Sequence, residues 1–146
     1  MKGTSSFPLA ANHGSAPTTH KSVNPDTLAA PVGAYSLGLE VEPSARWLYV
    51  SGQTGMAPDG TVPHSVLDQT KIAWSNIAAI CDCAEMCIAD IVKTIVCLTG
   101  REHMVAYREG RPAFADGRAP VSSIVIVGDL ADSRCVVEIE VVAAKA

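Results

Sequence analysis

A carboxylate set among apolar residues is one candidate for acid–base chemistry in this sequence. Glu138 lies in the run 136–143, where valine, isoleucine and alanine are its main neighbours. A carboxylate in such a place can accept or relay protons and can orient a water molecule. Glu138 is also compatible with an exposed strand position, or with a carboxylate that forms an ion pair at a subunit contact. Glu140 lies on the same face of this strand and is the weaker candidate.

The segment Ser51-Gly52-Gln53 is a second place where a small ligand could be bound. It ends a strand-like run and leads towards the tight turn that Asp59-Gly60 predicts. On its own this tripeptide is a weak signal, because a glycine at a strand end more commonly allows another part of the backbone to approach closely. Its weight therefore depends on the segments around it.

The cysteines and histidines do not form a pattern that predicts metal binding or nucleophilic catalysis. Cys81-Asp82-Cys83 and the nearby Cys87 match neither paired Cys-x-x-Cys nor Cys/His zinc spacing. The four histidines are scattered, so neither a Cys–His pair nor a Ser–His–Asp triad is indicated. No helix is predicted directly after Gly52 or Gly55, as a phosphate-binding loop would require. We expect the cysteines to be core or helix-end thiols and expect no bound metal.

Composition and charge narrow the class of protein. The chain has 146 residues, of which 48% are hydrophobic and 18% charged, which is typical of one globular domain. A net charge of -4 without a basic run argues against a nucleic-acid partner. No run approaches the ~18 apolar residues of a membrane span, and no secretion signal is visible. Because five cysteines cannot all pair within one chain, we expect a cytoplasmic protein.

The elements that must position these side chains are indicated by apolar spacing and turn residues. Residues 1–30 are rich in Ser, Thr, Pro, Asn and Gly, which predicts a flexible N-terminal arm before a single domain at 31–146. Strand-like runs at 35–42 and 46–53 are separated by a turn at Pro43, which predicts a hairpin. A short extra strand near Val62 is also compatible with the sequence.

Two helices and three further strands follow along the chain. Apolar residues recur at three- and four-residue steps between positions 65 and 86, which predicts the longest helix. The β-branched run 91–98 predicts a buried strand, 102–114 a weaker helix, and 122–127 and 136–143 two more strands. Because strict strand–helix alternation fails at both ends, we expect an α+β fold with about six strands and both helices on one face. Subunit packing would then cover the other face.

Six short segments beyond the arm form an ordered set that covers roughly residues 31–146. The segments are Gly33-Ala34-Tyr35-Ser36, Ser51-Gly52-Gln53, Asp59-Gly60 with Gln69 through Asn76-Ile77, Asp90-Ile91-Val92-Lys93-Thr94, Ala119-Pro120-Val121-Ser122-Ser123 and Val137-Glu138-Ile139-Glu140. Each segment alone is common, but their order and spacings together resemble the RidA/YjgF family, which is also labelled endoribonuclease L-PSP.

The resemblance implies a chorismate-mutase-like α+β domain that forms homotrimers, with small-molecule clefts between neighbouring copies. It implies hydrolysis of 2-aminoacrylate-type enamines and imines to 2-oxo acids and ammonia, without a metal or an organic cofactor. Glu138 aligns with the family carboxylate credited with positioning water, and Tyr35 with an aromatic residue that lines the cleft. Ser51, Gly52 and Gln53 would line the same cleft. Tyr35 could equally be a partly buried structural residue.

An arginine that the resemblance leads us to expect is replaced in this sequence. The family carries Pro-Ala-Arg-Ser, whose arginine can grip a substrate carboxylate through two hydrogen bonds. This chain has Pro120-Val121-Ser122-Ser123 at the matching place. A serine hydroxyl donates one neutral hydrogen bond, worth about 0.5–1.5 kcal/mol, and adds no charge. One hypothesis is that Arg108, Arg111 or Arg118 reaches the cleft instead, and we include Arg108 among the predicted binding residues.

Two functions remain open from the sequence. The first is an enzyme that hydrolyses C=N bonds in small reactive imines or enamines, with Glu138 orienting water and Ser122 helping to shape the cleft. The alternative is a non-catalytic trimer that binds a small metabolite as a regulatory module, and the serine at position 122 argues for it. Cleavage of RNA, which the family label suggests, is disfavoured by the acidic charge balance.

Overall fold

The computed structural model describes residues 20–114 and 119–146. Within these residues no helix is long and apolar enough to cross a membrane. Short 3₁₀ turns at Ile88–Asp90 and Arg101–His103 lead into the fourth strand and the second helix. In chain order the elements are β1 (His20–Val23), β2 (Gly38–Val41), β3 (Arg46–Thr54), α1 (Val66–Cys83), β4 (Ile91–Leu98), α2 (Met104–Gly110), β5 (Val121–Ile126) and β6 (Val137–Lys145).

The main sheet has four strands in the order β3-β6-β4-β5. Strands β4 and β5 are parallel, and the other neighbours are antiparallel. A parallel pair needs a crossover connection, and α2 lies in the one between β4 and β5. Strands β1 and β2 form a separate two-stranded antiparallel sheet. The predicted α+β fold with two helices is therefore confirmed, and its six strands divide into a sheet of four and a sheet of two.

The predicted hairpin, in which β2 would pair with β3, is wrong. Strand β2 pairs with β1, with His20 opposite Val41, and β3 pairs with β6. A turn does form between β2 and β3, where the Ala45 N–H donates to the Glu42 carbonyl at 3.1 Å. The turn residues specify only a local reversal. The choice of partner depends on which strand can continue the apolar face of β3 across the sheet.

Three smaller differences from the sequence prediction have local causes. Strand β1 lies inside the segment 1–30 that was predicted as an arm, and residues 1–19 lie outside the described residues. Val62 is in irregular backbone, next to Pro63, which has no N–H to donate to a strand ladder. Helix α2 ends at Gly110, before the predicted end at 114, because Arg111 precedes Pro112 and is held extended with φ -77° and ψ 152°.

The hydrophobic core lies between α1 and one face of the four-stranded sheet. Ala73, Ile77 and Cys81 on α1 are fully buried, as the three- and four-residue spacing predicted. Ile139 and Val141 on β6 are buried opposite them. Complete burial of one such aliphatic side chain contributes about 1.5–3 kcal/mol. The core therefore fixes which face of β6 points inward.

Helix α1 ends in a tight C-terminal cap. The Met86 N–H donates to the Cys81 carbonyl at 2.9 Å. The Glu85 N–H donates to the Asp82 carbonyl at the same distance, and the two bonds together make a Schellman cap. Glu85 has a positive φ of 58° in this cap, a conformation that favours glycine. Lys145 Nζ donates to the Glu85 carbonyl at 2.6 Å and connects this end of the helix to β6.

The face of the main sheet opposite α1 is open within the described residues. Trp47 and Tyr49 on β3 are 48% and 76% exposed. Val125 on β5 is also exposed on this face. Glu138 and Glu140 on β6 lie among these apolar residues. The open face thus combines exposed aromatic surface with two carboxylates.

Candidate functional site

Ser51 and Gly52 form a β-bulge near the end of β3. Val50 is opposite Val141 and Gln53 is opposite Ile139, and the register shifts between them. Ser51 and Gly52 therefore lie together opposite one β6 residue, Glu140. Bulges bend a strand and redirect side chains, and they are common beside active sites. Ser51-Gly52-Gln53, which the sequence predicted to be a strand end, is thus the place where the pairing of β3 with β6 is interrupted.

The glycine of this bulge makes room for the carboxylate of Glu138. A Cβ atom placed on Gly52 would overlap Glu138 Oε1 and would lie 2.6 Å from Cδ and 2.8 Å from Cγ. Any larger residue at position 52 would therefore displace the Glu138 side chain or the bulge. The sequence indicated a close approach at Gly52, and the structure shows that the approaching group is a side chain. Ser51, whose side chain is exposed, is its neighbour in the bulge.

Cys97 completes the surroundings of Glu138. It lies opposite Glu138 on the adjacent strand β4. Burial raises the pKa of the Cys97 thiol, and the negative charges of Glu138 and Glu140 raise it further. The sulfur therefore remains a neutral thiol at physiological pH rather than a nucleophilic thiolate. Sequence reasoning missed this residue, because its place opposite Glu138 depends on the pairing of β4 with β6.

Tyr35 lies in a loop that is fastened to the start of β5. The Ser36 N–H donates to the Pro120 carbonyl at 3.1 Å. The Ser36 hydroxyl donates to the Ala119 carbonyl at 2.7 Å. Tyr35 itself is half-buried, and its N–H donates to the Gly33 carbonyl at 2.9 Å. The loop 33–36 is therefore held beside the strand that carries Ser122.

Ser122 and Glu138 lie on opposite faces of the sheet. The hydroxyls of Ser122 and Thr94 form a hydrogen bond of 2.7 Å, and Thr94 is only 2% exposed on the core side. Thr94 and Cys97 are three residues apart on β4, so their side chains point to opposite faces. Ser122 is in register with Thr94 and Glu138 is in register with Cys97. The side chains of Ser122 and Glu138 therefore also point to opposite faces. Gln53 is in register with Ile139, whose side chain faces the core.

The three arginines that the sequence offered as substitutes differ in position. Arg108 is exposed on α2. Arg111 is half-buried, and its Nη1 donates to the Ala34 carbonyl at 3.3 Å. Arg118 lies outside the described residues. Only Arg111, of the two that are described, contacts the loop that carries Tyr35.

The described part of the chain has no cluster of side chains that could hold a metal ion. No three His, Cys, Asp or Glu side chains come together there in an arrangement that could hold an ion. The cysteines of that part are free, with Cys81 buried and Cys83 and Cys87 exposed.

A family model, related sequences and solved structures all relate this chain to the same family. The family model described as "Endoribonuclease L-PSP" matches residues 26–145. The rat protein 2-iminobutanoate/2-iminopropanoate deaminase is 30% identical over 125 residues, which are 84% of this chain and 88% of that protein. RidA from an Antarctic Psychrobacter bacterium is 30% identical and superposes with a TM-score of 0.62, covering 84% of this chain and 98% of that one. YyfB of the Rid family from Yersinia pestis is 25% identical with a TM-score of 0.76, covering 87% and 99%. The chain therefore belongs to the RidA/YjgF family.

Proposed function

We propose that this protein hydrolyses C=N bonds in small reactive imines and enamines. The observation that carries the proposal is the Glu138 carboxylate, which lies over Gly52 in a bulge that admits no Cβ atom. The name of the rat relative, a 2-iminobutanoate/2-iminopropanoate deaminase, supports the same class of substrate. The substrates would be imines or enamines derived from small 2-amino acids.

The proposed reaction needs one oriented water molecule and one proton relay. Glu138 accepts a proton from water while the water oxygen bonds to the imine carbon, and the π electrons of the C=N bond move to nitrogen. Glu138 then returns the proton to that nitrogen. Glu138 next takes the proton of the new hydroxyl group and passes it to the amino nitrogen. The C–N bond then breaks with its electron pair leaving on ammonia, and the deprotonated oxygen forms the carbonyl of a 2-oxo acid. Imine and water are therefore converted to 2-oxo acid and ammonia, with atoms and electrons balanced.

We also propose that the working unit is a homotrimer with its clefts between neighbouring copies. One sheet separates Ser122 from Glu138, so a cleft that uses both residues needs a second copy. The exposed Trp47 and Tyr49 supply apolar surface for such a contact. Light scattering of the purified chain during gel filtration tests this proposal. A monomer at micromolar concentration would contradict it.

A second function is favoured by the surroundings of Ser122. Its hydroxyl is engaged by Thr94 and carries no charge, at the place where the family resemblance leads us to expect an arginine. A trimer with a cleft but without turnover would then bind a small metabolite as a regulatory module. The two functions differ in whether a bound imine is consumed.

The deciding experiment generates 2-aminoacrylate and related imines in situ and follows the release of ammonia. We expect the wild-type protein to release ammonia faster than buffer. Glu138→Gln should lower the rate by about 100-fold or more, the usual range for loss of a general base. Glu140→Gln is the matched control and should stay within a few-fold, because Glu140 is exposed and the three atoms nearest to a Cβ placed on Gly52 all belong to Glu138. If no imine is consumed faster than in buffer, the regulatory function is favoured.

A further inference from the structure

Two amide side chains on α1 bind backbone groups of the segments that surround Glu138. Gln69 and Asn76 are seven residues apart, about two helical turns, so they lie on the same side of the helix. Gln69 is 1% exposed and Asn76 is half-buried. Both belong to the segment 69–77 that contributes to the family resemblance, and the proposed reaction uses neither of them. Their hydrogen bonds indicate a role for them at the site.

Asn76 holds the end of β3. Its Nδ2 donates to the Met56 carbonyl at 3.0 Å and makes a longer contact of 3.5 Å with the Thr54 carbonyl. Thr54 is the last residue of β3 and lies opposite Glu138. Because both partners are carbonyl groups, the contact needs the N–H donors of the amide. Asn76 therefore fixes the piece of backbone that faces Glu138.

Gln69 holds the same region from the side of β6. Its Nε2 donates to the Arg134 carbonyl at 2.9 Å, and its Oε1 accepts from the Val136 N–H at 2.8 Å. Val136 comes two residues before Glu138, just before β6 begins. Gly55, directly after β3, packs on Gln69, because a Cβ placed on Gly55 would overlap Gln69 Cβ and lie 2.6 Å from its Cγ. Helix α1 thus contacts both strands beside Glu138.

The β-bulge makes the end of β3 depend on these contacts. Before the bulge five residues of β3, Arg46–Val50, are paired with β6, whereas after it only Gln53 and Thr54 are paired. A strand end with so few paired residues opens easily when no other contact holds it. The glycine of the bulge lies under the Glu138 carboxylate. A shift of this strand end would therefore change the place of the glycine relative to the carboxylate.

We infer that Asn76 is a positioning residue for Glu138, acting through the end of β3 and the bulge. The inference rests on the proposed function, from which Glu138 takes its role. Asn76 lies on α1 at the core side of the sheet, whereas Glu138 lies on the open face. The amide therefore acts through the backbone and needs no contact with the substrate. Gln69 supports the same region but is buried, so Asn76 is the residue that can be changed with less damage to the core.

The first test replaces Asn76 with leucine, which has a similar branched shape and no hydrogen-bond donor. We expect kcat for ammonia release from an imine generated in situ to fall about 10- to 100-fold with KM little changed, because misplacing a catalytic group by about 1 Å can cost that much. Asn76→Ala removes the same donors without adding apolar surface and should behave alike. Circular dichroism and a thermal melt check that each variant is folded.

Thr70→Val is the matched control on the same helix. The Thr70 hydroxyl donates to the Val66 carbonyl at 2.8 Å, so this hydrogen bond stays within α1. Thr70→Val removes it with little change of shape. The variant should leave kcat and KM unchanged, even where its Tm falls.

Two readouts separate positioning from a loss of stability. In the Glu138→Gln background, Asn76→Leu should lower kcat no further, because no carboxylate is left to position. The carbon-13 carboxyl resonance of Glu138, assigned by its absence from the spectrum of Glu138→Gln, should shift in Asn76→Leu and stay in place in Thr70→Val. A merely structural role would lower kcat again in the first experiment and leave the resonance in place in the second.

The resonance also separates this inference from the proposed function. An unmoved Glu138 resonance in folded Asn76→Leu and Asn76→Ala overturns the inference, whatever the rates. An equal loss of kcat with and without the Glu138 carboxylate also overturns it. A wild type that releases no ammonia refutes the proposed function alone, and a Glu138 resonance that shifts in Asn76→Leu but not in Thr70→Val would then still support the positioning role.

Discussion

Replacing Gly52 with alanine tests how much the approach of Glu138 to the bulge matters. The new Cβ would overlap Glu138 Oε1 and lie 2.8 Å from its Cγ. The pairing of β3 with β6 holds the backbone on both sides of the bulge, so we expect the Glu138 side chain to rotate away rather than the bulge to move. Leaving its rotamer costs about 0.5–1.5 kcal/mol, and the lower entropy of the unfolded alanine chain offsets about 0.4–1 kcal/mol. The free energy of unfolding should therefore fall by no more than about 1 kcal/mol.

The same substitution should have a much larger effect on activity. A misplacement of a catalytic group by about 1 Å can reduce the rate about 100-fold. We therefore expect kcat/KM for an imine generated in situ to fall by about 100-fold, while urea unfolding shows a nearly unchanged protein. Gly128→Ala is the matched control, because a Cβ there meets nothing within 4 Å. It should leave both measurements unchanged.

A double-mutant cycle decides whether the two residues act together. Once Glu138→Ala has removed the carboxylate, Gly52→Ala should lower activity no further, because there is no side chain left to displace. Wild-type turnover in a folded Gly52→Ala protein would refute the reasoning. So would a second 100-fold loss when Gly52→Ala is added to Glu138→Ala, because the glycine would then act independently of the carboxylate.

Three further predictions concern stability. Glu85→Gly should raise the free energy of unfolding by about 0.5–1 kcal/mol. Glycine avoids the cost of about 1–2 kcal/mol that a side chain meets at this positive φ, and its greater freedom in the unfolded chain offsets about 0.4–1 kcal/mol. An equal gain in urea unfolding from Glu85→Ala would contradict this. Gln69→Leu should lower the free energy of unfolding by about 2–4 kcal/mol, because the Val136 N–H and the Arg134 carbonyl lose their hydrogen-bond partner. An unchanged urea midpoint would contradict this prediction. Hydrogen bonds from Arg134 lower the pKa of Asp132 to about 2, so its stabilising contribution is present above about pH 4 and is lost as the pH falls through about 2. The Tm of Asp132→Asn should accordingly fall less than the Tm of the wild type between about pH 5 and about pH 2. Equal falls in Tm for the two proteins would argue against this.

The helices and central strands could be predicted because their signals are local. The β-branched run 91–98 coincides with β4, and the predicted helix 65–86 contains α1. Apolar spacing reports which side of an element is buried, whatever it packs against. The end of α2 was predicted too late in the chain, although Pro112 indicated where the helix had to stop. Proline restricts the residue before it to extended backbone, which ends the helix.

Strand pairing could not be obtained in the same way. The turn after Glu42 is real, but β2 pairs with β1 and β3 pairs with β6. A turn constrains a few neighbouring residues, whereas a strand finds its partner through contacts with segments far away in the chain. The position of Cys97 beside Glu138 depends on one such pairing, so spacing in the sequence could not reveal it.

The sequence alone determined the class of fold and the family resemblance, and it named Glu138 and Gly52 as candidate site residues, because these rest on residue types and on local order. Tertiary structure decided three things that concern the site. It placed the Glu138 side chain over Gly52, put Ser122 on the other face of the sheet, and brought the Arg111 side chain to the loop that carries Tyr35. The physical reason is that the face and reach of a side chain depend on strand register and helix ends, which long-range packing sets.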